Sequence, residues 1–292
     1  MNQRTRLRSR QRLGKYRIEK RLAEGGFAEV YQAYDSIEGI RVALKIPSIS
    51  ASDKASLETF RREVRLTVKL DHPHILSIKD ASFIEGRFVI VYPLAKRSLS
   101  ERLQSRMSVE TVMDFAGQML EALAYAHARG ILHCDIKPDN VLIFDDRHLR
   151  LTDFGIARVA RRTVKASGSG TLGAMAPEQA MGKPSQRSDV FAMGLLLYRM
   201  FTGKSPEWPF HWPLPGHEKL AARVSPSIIQ LLRKSLEVEP RRRFRDATEM
   251  LEAFRSAAAE MEEHLDKQRR RRARAKKTRR KKAKTRSERR SR

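Results

Sequence analysis

Apolar and polar positions along the first hundred residues fall into short runs. In YRIEKRLAEGGFAEVYQAYD, Val30, Tyr31, Ala33 and Tyr34 supply β-formers, and Gly25 and Gly26 mark a turn. That pattern predicts two strands joined as a hairpin. IRVALKIP predicts a third strand ended by Pro47, and RFVIVYPL another stopped by Pro93. Between them the period changes, with Leu57, Phe60, Val64 and Val68 at helical spacing.

Past Ser98 the pattern is helical. VETVMDFAGQMLEALAYAHARG is a long amphipathic segment closed by Gly130, a residue suited to a left-handed C-terminal cap. DVFAMGLLLYRMFTG is apolar nearly all round, which predicts a buried helix. Ser225 and Pro226 open another helix, and Asp246 with Glu249 resembles a capping box. Strands first and helices after predict an α+β chain of two lobes divided near residue 95, without internal repeats.

The length of 292 residues suits one or two domains with an ample core. No apolar run is long enough to span a bilayer, and the basic start MNQRTRLRSRQRLGKYR has no apolar stretch behind it, unlike a secretory signal. One cysteine cannot form an internal disulfide, which suits a reducing compartment and predicts a cytoplasmic protein. The net charge of +26 suggests a nucleic-acid binder until it is divided. Lys267 through Arg292 hold 17 Lys/Arg and one acid, and residues 1–17 hold seven basic residues and no acid. The remaining middle carries only +3, so the basicity lives in the two ends.

Several short motifs then occur in one order. AEGGFAEV, Ala23 to Val30, sits on the strand-turn-strand, where small residues let backbone N–H groups approach phosphates; alone it is more often a plain turn. VALK ends on Lys45, whose ammonium can contact phosphates, and Glu63 on the following helix can pair with it. In HCDIKPDN, Asp135 can accept a hydroxyl proton, Lys137 can neutralise charge on a transferring phosphoryl group, and Asn140 can bind a metal ion. LTDFGIA offers the Asp153 carboxylate to Mg²⁺, and GTLGAMAPEQA carries Ala176, Pro177 and Glu178. Chance seldom places all of these in this order.

Over residues 16–256 the sequence resembles the eukaryotic-type serine/threonine protein kinases, and their bacterial members most. The resemblance implies a bilobal fold, with a β-rich N-lobe over residues 16–94 and a helical C-lobe over 95–256. It also implies ATP and Mg²⁺ as cofactors, with Ala23, Glu24, Gly25, Gly26, Phe27, Ala28, Val30, Ala43, Lys45 and Glu63 around the nucleotide. Asp135 would be the catalytic base, Lys137 would steady the γ-phosphate, and Asn140 and Asp153 would hold the metal. Lys137 and Thr171 look like the serine/threonine branch. HPHI at His72–Ile75 and SDVFAMG at Ser188–Gly194 match structural signatures of the family. Asp189 would brace the catalytic loop, and Glu178 would pair with Arg243. The partners implied are proteins with serine or threonine acceptors.

The sequence departs from the family at three points. Ala23 and Ala28 replace glycines of the phosphate loop, Ala174 replaces a tyrosine, and Cys134 replaces the arginine often found between His133 and Asp135. A thiol has no fixed positive charge to receive a phosphate, which predicts activity independent of phosphorylation at Thr163, Ser167 or Ser169. The plainer reading of Cys134, a small buried residue, is preferred to a redox sensor. His133 reads as a packed scaffold residue. Trp208, Phe210 and Trp212 read as a local hydrophobic plug.

Residues 1–15 are expected to be a flexible leader, and 257–292 a helical extension with a disordered polybasic tail. That tail has no aromatic residue for base stacking and no bulky apolar residue for membrane insertion, but can release counterions from nucleic acid or an anionic surface. Two readings stand beside the kinase: a catalytically silent scaffold, and a polyanion binder acting through the tail. The oligomeric state is left open.

Overall fold

The computed structural model describes residues 6–24, 28–47, 54–154 and 175–290, with the backbone alone for 54–56, 59, 63 and 271–290. The phosphate-loop residues Gly25, Gly26 and Phe27, the acceptor candidates Thr163, Ser167, Ser169 and Thr171, and Ala174 lie outside the described residues.

The N-terminal part is a six-stranded antiparallel sheet in the order β1 (Arg12–Leu13), β2 (Tyr16–Glu24), β3 (Ala28–Asp35), β4 (Ile40–Pro47), β6 (Arg87–Pro93) and β5 (Asp80–Ile84). Alternation explains why β6 is apolar throughout. Its Val89 and Val91 join Tyr31, Val42 and Leu44 on one face, while Phe88, Ile90 and Tyr92 meet Leu57 and Phe60 of α1 (Lys54–Thr67) on the other. Val68, counted with this helix's apolar stripe, lies beyond its end and is 66% exposed.

Within the leader, Leu7 and Leu13 insert into the same core as Tyr31 and Ile18, while the residues between them are exposed.

The helical part begins with β7 (Arg97–Ser98) and α2 (Leu99–Arg102), where Ser98 and Glu101 form a capping box. α3 (Val109–Ala128) follows, then a 3-10 turn (Pro138–Asn140), β8 (Val141–Ile143) and β9 (Leu149–Leu151). β7, β8 and β9 make a small second sheet that the apolar pattern does not reveal. α4 (Pro177–Ala180), α5 (Gln186–Thr202), α6 (His217–Ala221) and α7 (Pro226–Ser235) complete the layer around a core that includes Phe115, Leu123, Phe191 and Leu232. α5 is buried on every side and ends at Gly203 in the left-handed conformation. Gly194 lets α5 and α7 approach, since a Cβ there would meet Ser235 Oγ at 2.7 Å.

The last helix, α8 (Ala247–Arg290), lays Met250, Leu251, Phe254, Ala257 and Met261 into this core at three- and four-residue spacing. Its backbone is helical to Arg290. The sequence from 247 to 290 has no glycine or proline and is rich in Ala, Arg, Lys and Glu, which favour helix. Of the aromatic plug, Phe210 is buried and Trp212 packs on the core, but Trp208 is 63% exposed. No helix among the described residues is long and apolar enough to cross a membrane.

Candidate active site

The sheet register aligns Ala23, Val30, Lys45 and Ile90 across β2, β3, β4 and β6, so they share one face. Ala43 lies two residues before Lys45 and therefore on that face as well, packed near Phe60 and Tyr92. Lys45 is nearly buried, and its ammonium donates to Asp153 Oδ1 at 2.8 Å, linking the sheet to the helical part. Glu63 lies on α1, with its side chain outside the described residues. Glu24 differs from its neighbours: its carboxylate takes Arg6 and Arg21, away from the Lys45 row.

Asp135, Lys137 and Asn140 come together within the 133–140 loop. Lys137 Nζ lies 2.8 Å from Asp135 Oδ2, and Asn140 Nδ2 donates to the same oxygen at 2.9 Å and to the Asp135 carbonyl at 2.8 Å. With its amide nitrogen turned to two acceptors, Asn140 keeps its amide oxygen as a hard donor. Asp153 supplies a carboxylate. Burial works to raise its pKa, but the Lys45 ammonium bonded to it, with Lys137 nearby, holds it below the usual 3.8. Asp153 is thus an anion facing two lysines. No group of three or more His, Cys, Asp or Glu converges as a metal cage among the described residues. A cation here would rest on a carboxylate, an amide oxygen and oxygens of its ligand, a donor set that fits a hard divalent ion.

The loop is braced from beneath. Asp189, on the first turn of α5, accepts the backbone N–H of His133 through Oδ2 and of Cys134 through Oδ1, both at 2.7 Å. His127 Nε2 reaches the same carboxylate at 3.0 Å. Because the Ala247 N–H donates to His127 Nδ1 at 3.0 Å, the ring proton sits on Nε2 and points to Asp189. The Cys134 carbonyl accepts from Gln179 Nε2 at 2.6 Å, a contact that sequence spacing did not predict. Cys134 has φ of 63°, a left-handed conformation held by these flanking bonds, and its side chain is buried.

His133 is fully buried, with its ring centroid 4.6 Å from that of Phe154. Burial pushes its pKa below 6.5, so it is a neutral packing residue, as expected. Below this loop Glu178 and Arg243 pair as expected, and Ser188 Oγ adds a bond to Glu178 at 2.6 Å.

Comparison with known proteins bears on the family and the fold. Residues 16–254 match the protein kinase domain. The serine/threonine-protein kinase PknA of Mycobacterium tuberculosis is 38% identical over 206 residues, which cover 66% of this chain and 48% of that protein. The serine/threonine-protein kinase PrkC of Bacillus subtilis is 34% identical over 201 residues, covering 66% of this chain and 31% of that one. The crystal structure of the M. tuberculosis PknI kinase domain is similar at a TM-score of 0.66 and 25% identity, over 87% of this chain and all of that one. The chain spans less than half the length of these curated relatives.

Proposed function

The chain belongs to the protein kinase domain family, and from that premise we propose that it transfers the γ-phosphoryl group of ATP to serine and threonine hydroxyls of proteins. One observation carries the reading. Lys45 reaches Asp153 across the two parts of the fold at 2.8 Å, and the Thr152 N–H donates to the Asn140 carbonyl at 3.0 Å, which seats Asp153 beside the loop that carries Asp135 and Lys137. A phosphate gripped by one set of groups therefore lies within reach of the other.

Asp135 accepts the hydroxyl proton of the acceptor. Its described side-chain contacts fall on Oδ2, which leaves Oδ1 for that hydroxyl, and its side chain is 42% exposed. Lys137 places positive charge beside the oxygens that gain charge in the loose transition state. Lys45 holds the α- and β-phosphates, and Ala23, Val30 and Ala43 face the nucleotide. Asn140 and Asp153 would hold the divalent ion, which we take to be Mg²⁺; when bound, it neutralises phosphate charge. Residues of the described site thus position and polarise, and no covalent enzyme intermediate is needed. A catalytically silent scaffold finds no support, since Lys45, Asp135, Asn140 and Asp153 are all present and placed together.

Labelled ATP and Mg²⁺, with a generic acceptor protein and with the chain alone, test this. Transfer to serine or threonine by the parent and not by Asp153→Asn is the expected result. Bound nucleotide with no transfer by either would overturn it.

A second reading concerns the tail. We propose that residues 267–292 attach this kinase to nucleic acid through phosphate contacts, in the cytoplasm. What favours it is a backbone helical to Arg290 over a segment whose 26 residues from Lys267 to Arg292 hold 17 Lys/Arg and one acid. Replacing Lys and Arg of 271–290 by Gln in the full chain should abolish low-salt binding to duplex DNA. Unchanged binding would remove the proposal.

A further inference from the structure

The basic leader is fixed along the outer face of the sheet by a series of contacts. Ser9 Oγ donates to the Glu19 carbonyl at 3.0 Å, and the Arg10 N–H donates to the Ile18 carbonyl at 2.8 Å. The Leu7 N–H donates to the Tyr31 hydroxyl at 3.3 Å, and that hydroxyl donates to Glu29 Oε2 at 3.0 Å. With Leu7 buried, the track delivers Arg6 to one place. Arg6 Nη2 donates to Glu24, and Arg6 Nε lies 3.6 Å from Glu29 Oε1. Arg21 supports the same two carboxylates, at 2.5 Å from Glu24 Oε2 and 3.8 Å from Glu29 Oε1.

Glu24 and Glu29 are direct partners across β2 and β3, the described strand residues nearest positions 25–27 on either side. Like charges directly opposite one another destabilise a strand pair. Here that repulsion would act at the matched ends of β2 and β3. The next matched pair inward is Ala23 with Val30, on the Lys45 side of the sheet. Glu24 and Glu29 thus lie one residue outward of the Ala23–Val30 pair.

We propose that Arg6 is a positioning residue for the nucleotide: bridging Glu24 and Glu29 from the outer face, it holds the two strand ends at the separation that phosphate binding needs. The leader is then part of the nucleotide site, although it never touches the nucleotide. This rests on the reading of the chain as an ATP-dependent kinase.

The test uses the full chain, with a fluorescent ATP analogue and Mg²⁺ for binding and a generic acceptor for transfer. Arg6 is 66% exposed, so Arg6→Ala should weaken nucleotide binding about three- to fivefold at low salt, as a screened surface network allows. Transfer at saturating ATP should be unchanged, and Arg6→Lys should recover part of the affinity. The loss should close at high salt and shrink in a Glu29→Gln background, where the repulsion is gone. Neither response is expected of a residue that merely stabilises the lobe. Parent-like binding by Arg6→Ala at low salt would overturn the proposal, and so would a loss that persists at high salt or in Glu29→Gln. If the parent binds nucleotide but transfers nothing, the kinase reading fails while the binding comparison still decides the role of Arg6. If the parent binds no nucleotide, both fail.

Discussion

Arg243 grips Glu178 with both prongs of its guanidinium, Nη1 to Oε1 at 2.8 Å and Nη2 to Oε2 at 3.0 Å, and its side chain is fully buried. The same guanidinium donates to the carbonyls of Glu237, Arg187 and Val238 and lies over the Phe191 ring at 4.5 Å. It thereby ties α4, α5 and the segment before α8 into one block. Removing one partner of such a pair leaves an uncompensated charge. Arg243→Ala should cost about 3–5 kcal/mol of stability, read as a lower denaturant midpoint. A loss below about 1 kcal/mol would show that water has replaced the guanidinium.

The same pair predicts a response to acid. Burial works to raise the Glu178 carboxyl, but bonds from Arg243 and Ser188 hold it below the usual 4.5. A carboxylate with a depressed folded-state pKa gives stability that is fully present above its unfolded value and lost as pH falls through the folded one. Thermal stability should therefore fall below pH ~4.5 with a component that Glu178→Gln lacks. Parallel acid profiles for parent and variant would refute the assignment.

Asp189 accepts two backbone N–H groups and one imidazole N–H with a single carboxylate. Asparagine has one acceptor oxygen, so Asp189→Asn must turn an amide N–H toward one of those donors. An unsatisfied buried group costs about 1–3 kcal/mol, and the loop carrying Asp135 loses its anchor. The expected result is a fall in kcat of roughly tenfold or more with little change in the KM for ATP. An unchanged kcat would mean that Gln179 alone sets the loop.

Cys134 is the single cysteine, and its side chain is only 6% exposed. Its thiol should react with a disulfide reagent only on unfolding, and mild oxidant should leave activity intact. Because no cation stands at this position, Thr163, Ser167 and Ser169 replaced together by alanine should leave peptide phosphorylation largely unchanged. A collapse of activity in that triple variant would show that another group receives the phosphate.

The strands and long helices were legible because their apolar periods are set by burial: Val42 and Leu44 alternate on one face of β4, and Val112, Phe115 and Met119 follow the helical turn of α3. The proximity of Asp135, Lys137 and Asn140 was legible because all three fall within one short loop. What was missed depends on long-range partners. β5 has a half-exposed pattern, Asp80 to Ile84, that gives no clear period without its partner β6. Leu7 sits among arginines, so it looked like a stray apolar residue in a solvated leader. Only the distant Tyr31 gives it a core to enter. His127 likewise read as one more helix residue, because the two groups it joins, Asp189 and Ala247, are far along the chain.

The position of α8 has a consequence for how the chain is made. Its Met250, Leu251, Phe254, Ala257 and Met261 complete a core whose other walls, α3 and α5, are synthesised much earlier. Until Met261 emerges from the ribosome, Phe115, Leu123 and Phe191 lack their last covering layer, while the six-stranded sheet already has every strand it needs. The N-lobe can close first, and the helical lobe waits with sticky surface exposed. A nascent chain arrested anywhere within α8 before Met261 is therefore an aggregation hazard, and chaperone demand should peak over that interval of translation.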